Sequence, residues 1–261
     1  MAKQSLHLAL LVCDTPLPEV VEKHGDYPKQ YALVFEKAAR NKNLDITWDF
    51  FDVVDAQNYP SLEDIQNKKY DAIVVTGSKY NAHDNTPWIL KLVDFLHTLQ
   101  SQPYSHIVKL VGICFGHQVL LRAAGGTTER NPKGWEVGYT EIELNSYGKE
   151  FFKTDKSKLR INQLHRDHVS VLPEGFKCLA FTKDNTDNHA TVSDNRQCIT
   201  IQGHPEFNRD TMKIVITKRT ESGVLPEELS SKCLSTLAKI GPEMEDVWLV
   251  EKFLDFILNK L

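Results

Sequence analysis

The sequence predicts an α/β fold: a mostly parallel sheet with helices on both faces. Three observations lead there. Short, nearly unbroken apolar runs, such as residues 6–12 and 71–76, alternate with amphipathic stretches of helical period. Strands buried on both faces read this way, and they belong to parallel sheets. The run at 107–113 passes through Cys114 directly into a helical pattern, a strand–turn–helix signature. Finally, 261 residues with 41% hydrophobic and 25% charged content is ordinary globular usage, long enough to bury a core without disulfides or metals.

The elements follow in order. Residues 6–12 form a first strand and 29–39 a helix. Residues 44–53 form a second strand, alternating around Ile46, Trp48 and Phe50. A third strand over 71–76 ends in Gly77-Ser78, and 88–99 carries Ile89, Leu92, Val93 and Leu96 at helical spacing. The fourth strand is 107–113. Residues 125–200 are richer in Gly, Asn, Asp and Thr, and their runs at 137–144, 175–182 and 190–193 suggest antiparallel hairpins. A last buried strand over 197–202 precedes Gly203-His204-Pro205-Glu206. Helices are expected over 209–220, 226–240 and 244–258. With no internal repeat and no linker, one domain over 1–261 is the expectation, with a helical extension from about 209.

The chemistry centres on Gly112-Ile113-Cys114-Phe115-Gly116-His117-Gln118. A cysteine at the tip of a strand-to-helix turn is held at a helix N-terminus, where a thiolate is stabilised. The flanking glycines suit a turn too crowded for a Cβ, so G-x-C-x-G is the thiol counterpart of the G-x-S-x-G elbow. A nucleophilic cysteine needs a base, and the base needs an orienting group. Pro205 biases His204 toward extended backbone, and residues i and i+2 of an extended chain face the same way. Glu206 is therefore placed beside His204, completing a candidate Cys114–His204–Glu206 triad at a strand end. Acyl transfer also needs an oxyanion hole. The N–H of Phe115 is one candidate donor, and Gly77 in the turn Thr76-Gly77-Ser78 is the other.

Two segments are less specific. Leu164-His165-Arg166-Asp167-His168 is dense in ionisable groups and reads as either a solvated loop or a substrate contact. Its H-x-x-H spacing lacks the rest of a zincin pattern, so neither a metal nor another cofactor is expected. Asn131-Pro132-Lys133-Gly134 reads as a turn.

Together these motifs resemble the class I, triad-type glutamine amidotransferases. The strings Thr76-Gly77-Ser78-Lys79-Tyr80, Asn131-Pro132-Lys133-Gly134 and Gln202-Gly203-His204-Pro205-Glu206-Phe207 look most like the stand-alone fungal members and the plant γ-glutamyl peptidases. The resemblance implies a flavodoxin-like fold and hydrolysis of a γ-glutamyl amide through a thioester on Cys114. It also implies substrate contacts from Gln118, Ser78, His165, Arg166 and Asp167. No G-x-x-x-x-G-K-[ST] loop occurs within the chain, so ammonia would have no acceptor here. The alternative is thus a glutaminase subunit feeding a separate synthase partner. A non-enzymatic stress protein of the PfpI type is a third reading, but there histidine directly follows the elbow cysteine, and here Phe115 does.

The mildly acidic composition fits a protein that handles small molecules, and the resemblance implies that the partner is a γ-glutamyl substrate. A net charge of −4 without a dense Lys/Arg run disfavours nucleic acid. The apolar run at 6–12 is too short for a membrane span. Five widely spaced cysteines with no C-x-x-C pair suit a reducing compartment, so a cytoplasmic location is expected.

Overall fold

The strands are β1 (Gln4–Val12), β2 (Leu44–Asp52), β3 (Ala72–Val75), β4 (Lys109–Ile113), β5 (Thr127–Arg130), β6 (Glu136–Leu144), β7 (Lys158–His165), β8 (Asp167–Val171), β9 (Phe176–Phe181), β10 (Ala190–Ser193) and β11 (Cys198–Ile201). The helices are α1 (Pro18–His24), α2 (Tyr27–Asn41), α3 (Leu62–Gln66), α4 (Pro87–Gln100), α5 (Phe115–Ala123), α6 (Ser146–Phe152), α7 (Arg209–Glu221), α8 (Glu227–Lys239) and α9 (Asp246–Ile257). The structure, a computed structural model, describes residues 4–239 and 244–261.

Side-chain alternation explains the two covering layers. From β1, Leu6, Leu8 and Leu10 enter one core while Ala9 and Leu11 enter the other. β3 repeats this, with Ala72 and Val74 on the first side and Ile73 and Val75 on the second. Both faces of these strands are apolar, so both must be covered. Helices α2, α7, α8 and α9 supply residues to the first core, and α4 and α5 to the second.

The main sheet has nine strands in the order β2-β1-β3-β4-β11-β10-β9-β6-β7. The strands from β2 through β11 run parallel, and the remainder are antiparallel. This is the flavodoxin-like α/β arrangement expected. The antiparallel hairpins extend the same sheet beyond β11, while β5 and β8 pair as a separate two-stranded ribbon.

Several boundaries differ from the sequence reading for local reasons. β4 begins at Lys109 because Tyr104–His106 is a 3₁₀ turn. Helices α1, α3 and α6 are too short to show a helical period. Caps start two of them: Ser61 accepts from the Asp64 N–H, and Asn145 from the Gly148 N–H. Helix α8 fits the reading, but the expected end at Ile240 lies outside the described residues. Helix α9 packs on α2 and buries Phe253, Leu254 and Phe256. Each such side chain stabilises by about 1.5–3 kcal/mol, which anchors the C-terminal helices to the sheet.

Candidate active site

Strands β3, β4 and β11 lie side by side, and Gly77, Cys114 and His204 follow their carboxyl ends, where open parallel sheets place ligand sites. Cys114 lies between β4 and α5 with φ 54° and ψ −106°. A non-glycine residue at positive φ costs about 1–3 kcal/mol, so the surroundings must hold it there. They do. The Cys114 N–H donates to the Ile201 carbonyl at 2.9 Å, and the Gly116 N–H donates to the Thr76 carbonyl at 3.1 Å. A Cβ on Gly116 would collide with the Val75 carbonyl, and one on Gly112 would meet the Gly116 carbonyl oxygen at 2.6 Å. Close approach, rather than unusual φ, is why both elbow positions are glycine.

His204 follows β11 and is pinned by β7. Its N–H donates to the Asn162 carbonyl at 2.9 Å, and the Asn162 amide donates to the Phe207 carbonyl at 2.8 Å. The Phe207 ring stacks on the imidazole, with centroids 4.2 Å apart. His204 Nδ1 contacts Glu206 Oε1 at 2.7 Å. His204 Nε2 is buried with no hydrogen-bond partner among the described residues. Burial disfavours the charged ring, but the Cys114 sulfur and then Glu206 outweigh it and push the His204 pKa up to about 10. Glu206 Oε1 also accepts from the Tyr31 hydroxyl at 3.2 Å.

The structure places the expected oxyanion donors unequally. Phe115 stacks its ring on Trp88 at 5.7 Å, which anchors the start of α5, and its N–H carries no hydrogen bond among the described residues. The Gly77 N–H instead donates to the Tyr31 hydroxyl at 2.9 Å. The next N–H along that turn, Ser78, has no partner among the described residues.

Ser78, Gln118, His165, Arg166 and Asp167 all line one cavity of about 460 Å³, together with Cys114 and His204. Gln118 uses its amide N–H groups within the protein, donating to the Asp167 carbonyl and to Gln202 Oε1, each at 3.0 Å. Gln202 in turn donates to Cys114 Sγ at 3.7 Å. The Ser78 hydroxyl donates to the Cys13 carbonyl at 2.8 Å. The 165–167 segment is no solvated loop: it joins β7 to β8, with His165 and Asp167 buried and only Arg166 exposed. Burial pushes the Asp167 carboxyl up, and the nearby Arg130 guanidinium opposes this at 3.1 Å.

The one grouping with metal-ligand spacing among the described residues is Glu136, His165 and His189, all buried. His168, the other histidine of the H-x-x-H spacing, is not in it. The grouping is already knit internally: Glu136 Oε2 lies 2.9 Å from His165 Nε2 and accepts from the Thr186 hydroxyl at 3.2 Å. Burial alone would raise the Glu136 carboxyl, but His165 and then His189 hold it well below its usual range. The other four cysteines lie outside the cavity lining, and burial raises every one of their thiols, Cys178 to about 11.

Sequence reasoning did not single out Tyr31, Gln202, Arg130 or Arg219. Gln202 lies two residues before His204 and was within reach of the same i, i+2 argument. Tyr31 and Arg130 act across long sequence separations and leave no local signal.

Fold and site together define a flavodoxin-like α/β protein with a cysteine elbow at the sheet's carboxyl edge. The chain belongs to the class-I glutamine amidotransferase family, whose model matches residues 35–220. It is 34% identical over 231 residues to a glutamine amidotransferase-like protein of Schizosaccharomyces pombe, covering 87% of this chain and 90% of that one. It is 33% identical over 248 residues to γ-glutamyl peptidase 4 of Arabidopsis thaliana, covering 92% and 90%. A solved glutamine amidotransferase from Thermotoga maritima shares the fold, with TM-score 0.66 and 21% identity over 100% of this chain and 98% of that one. Among the described residues no helix is long and apolar enough to cross a membrane.

Proposed function

We propose that this protein hydrolyses γ-glutamyl amide bonds, with γ-glutamyl peptides preferred over free glutamine. The observation that carries the reading is the free, buried His204 Nε2 in a cavity shared with Cys114, with Glu206 behind the ring. The Cys114 thiol passes its proton to Nε2, and the sulfur attacks the δ-carbonyl carbon of the γ-glutamyl group. The Phe115 N–H holds the developing oxyanion. The second donor expected from sequence, Gly77, is engaged by Tyr31, so the unpaired Ser78 N–H takes that role in the proposed mechanism. His204 returns the proton to the leaving nitrogen as the C–N bond breaks, leaving a γ-glutamyl thioester. Water, deprotonated by His204, attacks the thioester. Glutamate leaves, and the thiol is restored.

The cavity's shape supports a peptide donor. Its volume of about 460 Å³ falls within the ~300–1,000 Å³ typical of drug-sized ligands. Helix α7 turns Thr211, Val215 and Arg219 toward it, a face about 12 Å long. Arg219 has no acid within salt-bridge distance among the described residues, so it can receive the carboxylate of a leaving amino acid or dipeptide. The test is glutamate release from glutamine and from a panel of γ-glutamyl dipeptides, with Cys114→Ser as the blank. Release from none of them by reduced protein removes the hydrolytic reading. Slow release from glutamine alone moves it to an ammonia-supplying subunit.

A further inference from the structure

We infer that Tyr31 is a positioning residue that fixes the proton direction of the Cys114–His204–Glu206 site and ties it to the 76–78 turn. Tyr31 sits on α2 and is fully buried. Its hydroxyl accepts from the Gly77 N–H at 2.9 Å and donates to Glu206 Oε1 at 3.2 Å. A backbone N–H can only donate, so the phenol proton is left to point at Glu206. The same oxygen faces His204 Nδ1 at 2.7 Å. With the phenol donating to it, Glu206 Oε1 acts as acceptor toward Nδ1 as well, which places the ring proton on Nδ1. His204 Nε2, which has no other partner among the described residues, is then the ring nitrogen left to exchange a proton with the Cys114 sulfur. The relay from Gly77 through Tyr31 and Glu206 to His204 thus admits a single arrangement of protons.

The same hydroxyl holds the turn. With Gly77 N–H engaged, the backbone at 76–78 is fixed while Ser78 stays on the cavity wall. One phenol therefore sets both the base and the geometry of the proposed oxyanion donor. The ring is fixed independently of its hydroxyl, edge-on to Tyr27 with centroids 6.0 Å apart, so Tyr31→Phe should keep the core.

The experiment compares wild type and Tyr31→Phe in two assays, with folding checked by thermal denaturation. In steady-state hydrolysis of a γ-glutamyl dipeptide, kcat should fall about 10- to 100-fold while KM stays within about threefold, because positioning and not affinity is lost. In alkylation of Cys114 by iodoacetamide at pH 7, the rate should fall by roughly threefold or more, since the base is no longer held in one tautomer. Wild-type kcat and wild-type alkylation rate in a Tyr31→Phe protein that melts lower would overturn the inference and leave Tyr31 a packing residue. The kinetic arm rests on the hydrolytic reading, but the alkylation arm does not. If wild type hydrolyses no γ-glutamyl donor, that reading fails and alkylation alone still decides the role of Tyr31.

Discussion

Gly112→Ala tests whether the elbow holds Cys114 by close packing. Residue 112 is the next-to-last residue of β4, two positions before the cysteine, and residue 116 follows two positions after. A Cβ at 112 would lie 2.6 Å from the Gly116 carbonyl oxygen and 2.7 Å from Leu120 Cδ1. The leucine can rotate, but the backbone oxygen cannot. Ordinary contact begins at 3.4 Å, so strand end and helix start must part by about 0.8 Å. Over-packing of this kind costs about 1–3 kcal/mol, or roughly 3–9 °C in Tm at this chain length. The shift falls on the residue between, and displacement of a reacting group by about 1 Å lowers kcat about 100-fold. Thermal melts and glutamate release would read both effects. A Gly112→Ala protein with unchanged Tm and full kcat would refute the argument that backbone proximity dictates glycine here.

Two further outcomes follow from the site. Glu206→Gln keeps an acceptor for His204 Nδ1 but removes the charge, one of the influences that push the His204 pKa up to about 10. The imidazolium becomes easier to deprotonate, so the alkaline limb of kcat/KM should move to lower pH, with kcat down by about 10²–10³; an unmoved limb would remove Glu206 from the relay. Arg219→Gln should raise KM about 5- to 10-fold for γ-glutamyl amino acids while leaving their C-terminal amides and glutamine unaffected, a surface-charge contribution of about 1 kcal/mol. Equal changes for acid and amide would place the leaving group elsewhere.

The parts of the site that local chain geometry dictates were legible in the sequence. The elbow declares itself because both glycines lie within two residues of Cys114, and the His204–Glu206 contact follows from the proline between them. Four of the five parallel strands were visible because burial on two faces leaves nearly unbroken apolar runs, while β2, at the sheet edge, showed as alternation around Ile46, Trp48 and Phe50. What stayed hidden is set by tertiary contact. Tyr31 reaches Glu206 across 175 residues, and nothing near position 31 announces it. The burial of His165 and Asp167 depends on β6 and β5 pairing alongside, which charged residues in a short run disguise as a loop. The commitment of Gly77 N–H to a side-chain hydroxyl likewise needs coordinates, because Thr76-Gly77-Ser78 reads the same whether that N–H faces a ligand or a phenol.

Of the remaining four thiols three are buried and Cys178 is half-buried, and all four have their pKa pushed up, which has a practical outcome. At neutral pH a mild electrophile bearing a fluorophore should print one stoichiometric mark per chain, because the other sulfurs, the half-buried Cys178 included, are reluctant to ionise. That mark counts competent molecules directly, so a crude extract could be titrated for working copies before any natural donor is known.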